Sequence, residues 1–135
     1  MREILFKAKT CVGEWVQGLL AHKDNKWYIS NKAGMPFAYE IRPDTICQYT
    51  GLNDNHGNKI WENDVVRCYA DTDDLGNDLF YFYKVIWHER YCCWWLSDIH
   101  TYDDASLYDF NAITDVVLGN IFDNPELLEG GGEDE

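Results

Sequence analysis

The sequence predicts a mainly β protein that curves into a small barrel or roll and ends in a short helix. Aromatic side chains make up 16% of the 135 residues, and such rings pack well on the pleated surface of a sheet. Short apolar runs alternate with clusters of turn-forming residues along the chain. One run, 79–87, is apolar on both alternating faces apart from Lys84. A strand covered on both faces implies either a strongly curved barrel or a subunit interface.

The first part of the chain has the pattern of short strands joined by tight turns. Five runs rich in apolar residues predict extended segments, at 3–7, 14–20, 27–29, 37–41 and 44–49. The polar stretch 22–26 predicts a hairpin between the second and third of them. Pro43 ends the fourth of them, and its ring also biases Arg42 away from helix.

The central stretch 48–66 is dominated by turn chemistry. A hexapeptide of Asn, Asp, His and Gly at 53–58 lies between two apolar runs, so the chain must reverse there. A second corner follows at 62–64, and its middle residue needs a left-handed backbone that Asn tolerates. We therefore assign structural turn roles to Gly51, Gly57, Asn63 and Asp64.

The second half predicts further strands and a helical end. Strands are expected at 65–70, 79–87, 91–96 and 114–118, and the second and third of them pair across a turn at Glu89-Arg90. Residues 97–111 are irregular, with one helical turn at 105–110. Asp123, Pro125 and Glu126 supply an N-cap, a first-turn Pro and an early acid, which start a short helix.

The chain is expected to fold as one domain over residues 1–129. Its length allows a core that buries roughly two-thirds of the unfolded surface, and no linker or internal repeat interrupts these residues. The last six, 130–135, contain only Gly, Glu and Asp. They predict a flexible acidic tail.

Charge is unevenly distributed along the chain, which carries a net charge of −13. Residues 1–67 contain nine Lys and Arg against eight Asp and Glu, whereas residues 68–135 contain two against sixteen. Because neutralising phosphates requires basic residues, we expect no nucleic-acid partner for the second half. The acidic half is either a solvated face or a surface that docks on a basic partner or imitates DNA phosphate.

We assign a candidate acidic interaction surface to that half. It consists of Asp71, Asp73, Asp74, Asp78, Asp98, Asp103, Asp104 and Asp109. A candidate aromatic interface, expected to support a homo-oligomer, consists of Tyr81, Tyr83, Trp87, Trp94 and Trp95. An aromatic cage or partner-binding groove is an alternative, lined by Tyr49, Trp61, Trp87, Tyr91, Trp94 and Trp95, although core or oligomer packing is the commoner role of such rings.

Few residues of the sequence support a metal site or a catalytic site. The loop at 71–76 resembles a calcium loop only superficially, because two ligand positions fall on Leu75 and Phe82, which lack ligand oxygens. His88, Cys92 and His100 do not have the paired spacing of a zinc site. No Ser or Cys can be placed beside a histidine base. We therefore expect no cofactor and no enzymatic activity, with a small-molecule-processing enzyme as the least favoured alternative.

The cysteines and the N-terminus predict a cytoplasmic location. Five Cys, an odd number, show no spacing of a disulfide framework. The first ten residues contain no apolar signal core, and no apolar run approaches the ~18 residues that cross a bilayer. We expect a soluble protein without a membrane partner.

Five sequence blocks resemble the YopX-like proteins of phages and prophages. They are REILFK at 2–7, GEWVQG at 13–18, QYTGL at 48–52, GNKIWENDVV at 57–66 and GNIFDNPELL at 119–128. That family usually has Gly at the position of Asn63, which agrees with a left-handed corner. Its middle portion varies, so residues 68–114 inherit little.

The resemblance implies an SH3-like barrel, an oligomeric tendency and a phage-encoded cytoplasmic setting. It implies no activity, and no catalytic residues are carried over. We expect a non-enzymatic accessory protein that binds a host or phage protein through its acidic half. A DNA mimic that blocks a nucleic-acid-binding enzyme is the alternative.

Overall fold

The computed structural model describes residues 3–30 and 38–99, the backbone of 105–106, and residues 116–128. These residues form short antiparallel strands, which confirms the prediction of a mainly β protein. The chain groups into two compact units, Met1–Gly51 and Leu52–Glu135. The single domain expected over 1–129 spans both units and stays a prediction.

Eleven strands are described in chain order. They are β1 (Phe6–Lys9), β2 (Trp15–Lys23), β3 (Lys26–Ser30), β4 (Tyr39–Glu40), β5 (Cys47–Asn53), β6 (Lys59–Trp61), β7 (Asp64–Thr72), β8 (Asp78–His88), β9 (Cys93–Asp98), β10 (Ala105–Ser106) and β11 (Val116–Asn120). One sheet has the order β4-β3-β2-β1-β5-β6 and the other β10-β9-β8-β7-β11. Strands β1 to β4 and the start of β5 belong to the first unit, and the remaining strands to the second.

The first unit has its own small core. Alternation along β1 and β3 directs Ala8 and Ile29 inward, where they are fully buried with Ile41. The β2–β3 hairpin closes through Asp24 and Asn25, whose φ angles of 55° and 65° are those of a two-residue type I′ turn. The expected reversal at 22–26 therefore occupies only its two central residues.

The second unit is organised around the long strand β8. Tyr83 and Val85 are buried with Val66 of β7 and Leu96 of β9, because residues paired across antiparallel strands share a face. The opposite face of β8 carries side chains that are only half-buried, among them Phe82. The face of Tyr83 and Val85 is therefore buried only at the centre of the strand, since Leu79, Tyr81 and Trp87 on the same face are exposed, and the expectation that both faces of 79–87 are covered holds only in part.

Three details of the predicted fold are corrected. Within the described strands, neither sheet closes on itself into a barrel. Pro125–Leu128 is a single 3-10 turn, closed by the N–H of Leu127 bonding to the carbonyl of Asn124 at 3.0 Å, and it does not continue into the short helix that was expected. Four residues suffice for this turn but not for the repeated i to i−4 bonds of an α-helix. Ala105–Ser106 pairs with β9 as a strand, where a helical turn was expected. The other residues of that turn lie outside the described part.

Candidate protein-interaction surface

The tip of the β7–β8 hairpin is a five-residue loop, 73–77, whose conformation is fixed by Asp73. One oxygen of its carboxylate, Oδ1, accepts the backbone N–H of Leu75 at 2.9 Å and of Asn77 at 2.8 Å. The backbone N–H of Asp73 bonds in turn to the carbonyl of Asn77 at 2.8 Å. The loop is therefore held by its own hydrogen bonds. These donors, first of all Asn77, hold the pKa of the Asp73 carboxyl below its usual value.

The same loop occurs a second time at 54–58, with the same pattern Asp-x-x-Gly-Asn. Here Asp54 Oδ1 accepts the N–H groups of His56 and Asn58, both at 2.9 Å. Gly57 and Gly76 occupy the equivalent positive-φ position, at 82° and 86°. From the sequence alone, the segment at 54–58 is predicted as a turn and the segment at 73–77 as part of an acidic surface. The pattern shows that both are hairpin loops.

The two loops differ in burial. Asp54 is only 5% exposed, and its second oxygen, Oδ2, accepts the N–H of Val117 of strand β11 at 3.0 Å. Burial raises the pKa of Asp54, but the N–H donors of Val117, Asn58 and His56 together lower it below its ordinary value. The loop at 54–58 therefore ties β11 to the hairpin, whereas the bonds described for the Asp73 carboxylate all lie within its own loop at 73–77.

Four of the predicted acidic residues lie together at the β7–β8 tip. Asp71 accepts the N–H of Thr72, and Asp78 accepts its hydroxyl at 3.1 Å. Asp74 is exposed beside Asp73. Asp98 lies elsewhere, half-buried on β9 opposite Tyr83. Three more predicted acids are outside the described residues: Asp103, Asp104 and Asp109.

Exposed apolar side chains accompany these acids. Leu75, at the top of the loop, is 86% exposed, and Leu79 and Tyr81 on β8 are 46% and 44% exposed. Interfaces often combine apolar contact with a charged rim. In the sequence, Leu75 is notable only as a residue that cannot bind calcium, and it is absent from the predicted interaction surfaces. Its place at the tip of an Asp-x-x-Gly-Asn loop was the signal that could have identified it. We call residues 71–79 the acidic tip.

The predicted aromatic interface is divided between faces. Tyr83 is buried and Trp94 packs against the core, whereas Tyr81 and Trp87, on the same face, are each 44% exposed. Trp95 lies on the opposite face, where its ring is 4.7 Å from the ring of His88 and 5.4 Å from that of Tyr91. The five rings therefore do not form one surface.

His88 and Cys92, two of the residues considered for a zinc site, contact other groups. His88 Nδ1 accepts the N–H of Tyr91 at 3.3 Å, and the Cys92 thiol points to the carbonyl of Glu89 at 3.4 Å. Among the residues the structure describes, no group of three or more His, Cys, Asp or Glu could hold a metal ion. His100 lies outside them.

The predicted corner at Asn63 joins several parts of the second unit. Asn63 has a φ of 72°, its N–H bonds to the carbonyl of Val85 at 2.8 Å, and its carbonyl accepts the N–H of Ile121 at 3.1 Å. The adjacent Asp64, 2% exposed, accepts the N–H of Trp61 at 2.8 Å. Gly51 and Gly57 also have positive φ, at 91° and 82°. Asn63 and Asp64 therefore bond to the backbone of neighbouring segments and have a structural role.

Substitutions at Asn63 should separate backbone conformation from side-chain contacts. Asn63→Ala and Asn63→Gly both remove the amide, but only Gly adopts a left-handed backbone without strain. We expect the free energy of unfolding of the Ala variant to be about 1 kcal/mol lower than that of the Gly variant. Urea denaturation of both variants measures this difference, and equal midpoints would contradict a strained corner.

These features define a small mainly β protein whose repeated Asp-x-x-Gly-Asn loops shape its hairpins. The chain matches the family described as "YopX protein" over residues 7–129, and it belongs to that family. The resemblance noted in the sequence is thereby confirmed.

A solved structure supports the fold. The crystal structure of protein EF1440 from Enterococcus faecalis is similar over 96% of this chain and 100% of that chain, with a TM-score of 0.57 and 21% sequence identity. No curated protein matches the chain. In the described part of the chain, no helix is long and apolar enough to cross a membrane.

Proposed function

We propose that this YopX-family protein is a non-enzymatic binding module that recognises a basic protein surface through its acidic tip. The observation that carries the proposal is the loop at 73–77, where Leu75 is 86% exposed while the Asp73 carboxylate fixes the surrounding backbone. An apolar anchor on a preorganised loop binds at a lower entropic cost than one on a mobile segment.

The charges around Leu75 orient the partner and raise the rate of association. The second unit contains nineteen Asp and Glu against four Lys and Arg, and the tip concentrates Asp71, Asp73, Asp74 and Asp78. Such a field accelerates encounter with a basic surface and repels acidic ones. The apolar contact of Leu75, Leu79 and Tyr81 then slows dissociation.

The setting is part of the same proposal. From the resemblance we infer a phage-encoded accessory protein that acts in the bacterial cytoplasm, forms a homo-oligomer and has the curvature of an SH3-like roll. The partner that we expect is a host or phage protein with a basic surface.

The proposal is tested by capture of partners from host lysate on immobilised protein. We expect a basic protein to be retained at low salt and released at high salt, because exposed charges are screened within about 8 Å at physiological ionic strength. Asp74→Lys should weaken this capture by about tenfold, since it replaces an attraction at the tip with a repulsion.

The matched control is Glu89→Lys, which makes the same charge change on an exposed residue at the opposite end of β8. Equal loss of capture in both variants would show that net charge and not the tip is responsible. Release of the captured protein by duplex DNA would favour the alternative, that the acidic tip imitates DNA phosphate in blocking a nucleic-acid-binding enzyme. Retention that is insensitive to salt would contradict the acidic surface.

A further inference from the structure

Four lysines of the first unit lie on one face of its sheet. Lys7 and Lys9 alternate with the core residue Ala8 along β1, so both lie on the face opposite the core. The register of the β2–β3 hairpin places Lys23 and Lys26, which are directly paired, on the same face of the sheet. We call these four residues the lysine face.

Apolar groups are interleaved with these lysines. The Nζ atoms of Lys7 and Lys9 lie 4.6 and 5.4 Å from the centre of the Trp15 ring, and so make cation–π contacts with it. Leu19, two residues before Ala21 on the same face of β2, is 48% exposed. Lys23 and Lys26 are exposed at the hairpin end. The lysine face therefore combines apolar contact area with positive charge, which is partly offset where Lys26 Nζ lies 4.0 Å from the carboxylate of Glu40 on β4.

The two units of the chain carry opposite charge. The first unit contains seven Lys and Arg against five Asp and Glu, whereas the second contains four against nineteen. Each copy of the protein therefore presents both a basic sheet face with an exposed leucine and an acidic tip with an exposed leucine. The two surfaces match in the sign of their charge and in their mixture of charged and apolar groups.

We infer that the lysine face is the docking surface for the acidic tip of a second copy of this chain. This inference rests on the proposed function, because it uses the same tip and gives it a partner. The contact is heterologous: each copy offers its tip to one neighbour and its lysine face to another. Repetition of such a contact generates a ring or an open chain of copies.

A second copy fits this face better than a nucleic acid does. The whole chain carries a net charge of −13, so its long-range field repels a polyanion, even though the lysine face is locally positive. A second copy is also negative overall, but its tip presents Leu75 and Leu79 along with the carboxylates. Those side chains offer apolar contacts for Leu19 that a phosphate backbone lacks.

The inference is tested with two charge-reversed variants of the full chain. One carries Lys23→Glu with Lys26→Glu, and the other carries Asp74→Lys with Asp78→Lys. At low salt, we expect light scattering to show that the wild type associates, while each variant alone associates at least about tenfold more weakly. An equimolar mixture of the two variants should associate again, because the reversed face of one then meets the reversed tip of the other.

Several results would overturn the inference. A mixture that stays dissociated while the wild type associates would show that these two surfaces do not meet. A wild type that is monomeric at every salt concentration would overturn this inference and the proposed homo-oligomer, but it would leave the proposed recognition of a basic partner intact, because capture of that partner by the tip is measured separately. Binding of labelled single-stranded DNA that is lost in the Lys23→Glu, Lys26→Glu variant would assign the face to nucleic acid instead. Arg90→Glu, at an exposed position on the β8–β9 turn, controls for unspecific effects of lost positive charge.

Discussion

Replacing Asp54 with Ala is expected to lower the free energy of unfolding by about 3 kcal/mol, because several N–H donors lose their acceptor. The carboxylate, 5% exposed, accepts the backbone N–H groups of His56, Asn58 and Val117. The last of these contacts lies 63 residues away along the chain and joins β11 to the loop. Urea denaturation at neutral pH measures the loss.

The chain contains a matched control in Asp73. It makes the same bonds within the loop, to Leu75 and Asn77, but it is on the surface and no bond to another strand is described for its carboxylate. Water can replace its hydrogen bonds, so Asp73→Ala should destabilise the protein much less. Equal losses in the two variants would show that the contact with Val117 contributes nothing.

The pH dependence gives a second readout of the Asp54 substitution. The pKa of this carboxyl is lowered in the folded protein, so the unfolded chain binds the proton more readily. Its contribution to stability is therefore complete above the unfolded pKa of about 3.9 and is lost as the pH falls through the folded pKa. In Asp54→Ala, the decline of stability below about pH 4 should be shallower than in the wild type.

Replacing Gly119 with Ala is expected to cost about 2 kcal/mol through overpacking. A Cβ at this position would overlap the side-chain amide of Asn124. That amide oxygen accepts the N–H of Asn120 at 3.3 Å, and Asn120 itself is 9% exposed. Moving Asn124 aside therefore breaks a bond in a crowded turn.

A double-mutant cycle identifies this cause. In an Asn124→Ala background the amide is absent, and at least half of the cost of Gly119→Ala should disappear, as measured by urea denaturation. Some cost remains, because the Cβ of residue 124 still lies 3.3 Å from the added methyl group. A full cost in both backgrounds would point to the backbone of Gly119 and not to Asn124.

Local chemistry explains why much of the fold could be predicted. The apolar run 79–87 corresponds to β8 (Asp78–His88), and the turn formers at 53–58 correspond to a hairpin loop. The prediction failed where a local signal marks the start of an element but does not determine its length. Asp123, Pro125 and Glu126 resemble the start of a helix, but only one 3-10 turn follows.

The candidate surface was less predictable because it depends on strand register. Residues 1–67 have almost no net charge, and only the pairing of β1, β2 and β3 shows that four lysines share one face. The same period of two divides the predicted aromatic set, since Trp94 and Trp95 are neighbours on a strand and point to opposite faces. The contact from Asp54 to Val117 spans 63 residues and has no local signature.

We propose that the buried Asp-x-x-Gly-Asn loop serves as scaffold, whereas the exposed one presents the recognition surface. The most direct test is the affinity of a captured basic partner for Asp54→Asn and for Asp74→Lys, at a temperature where both are folded. We predict that Asp54→Asn, though less stable, keeps the wild-type affinity, while Asp74→Lys keeps the stability and loses about tenfold in affinity. Loss of affinity in Asp54→Asn with full binding by Asp74→Lys would contradict this account.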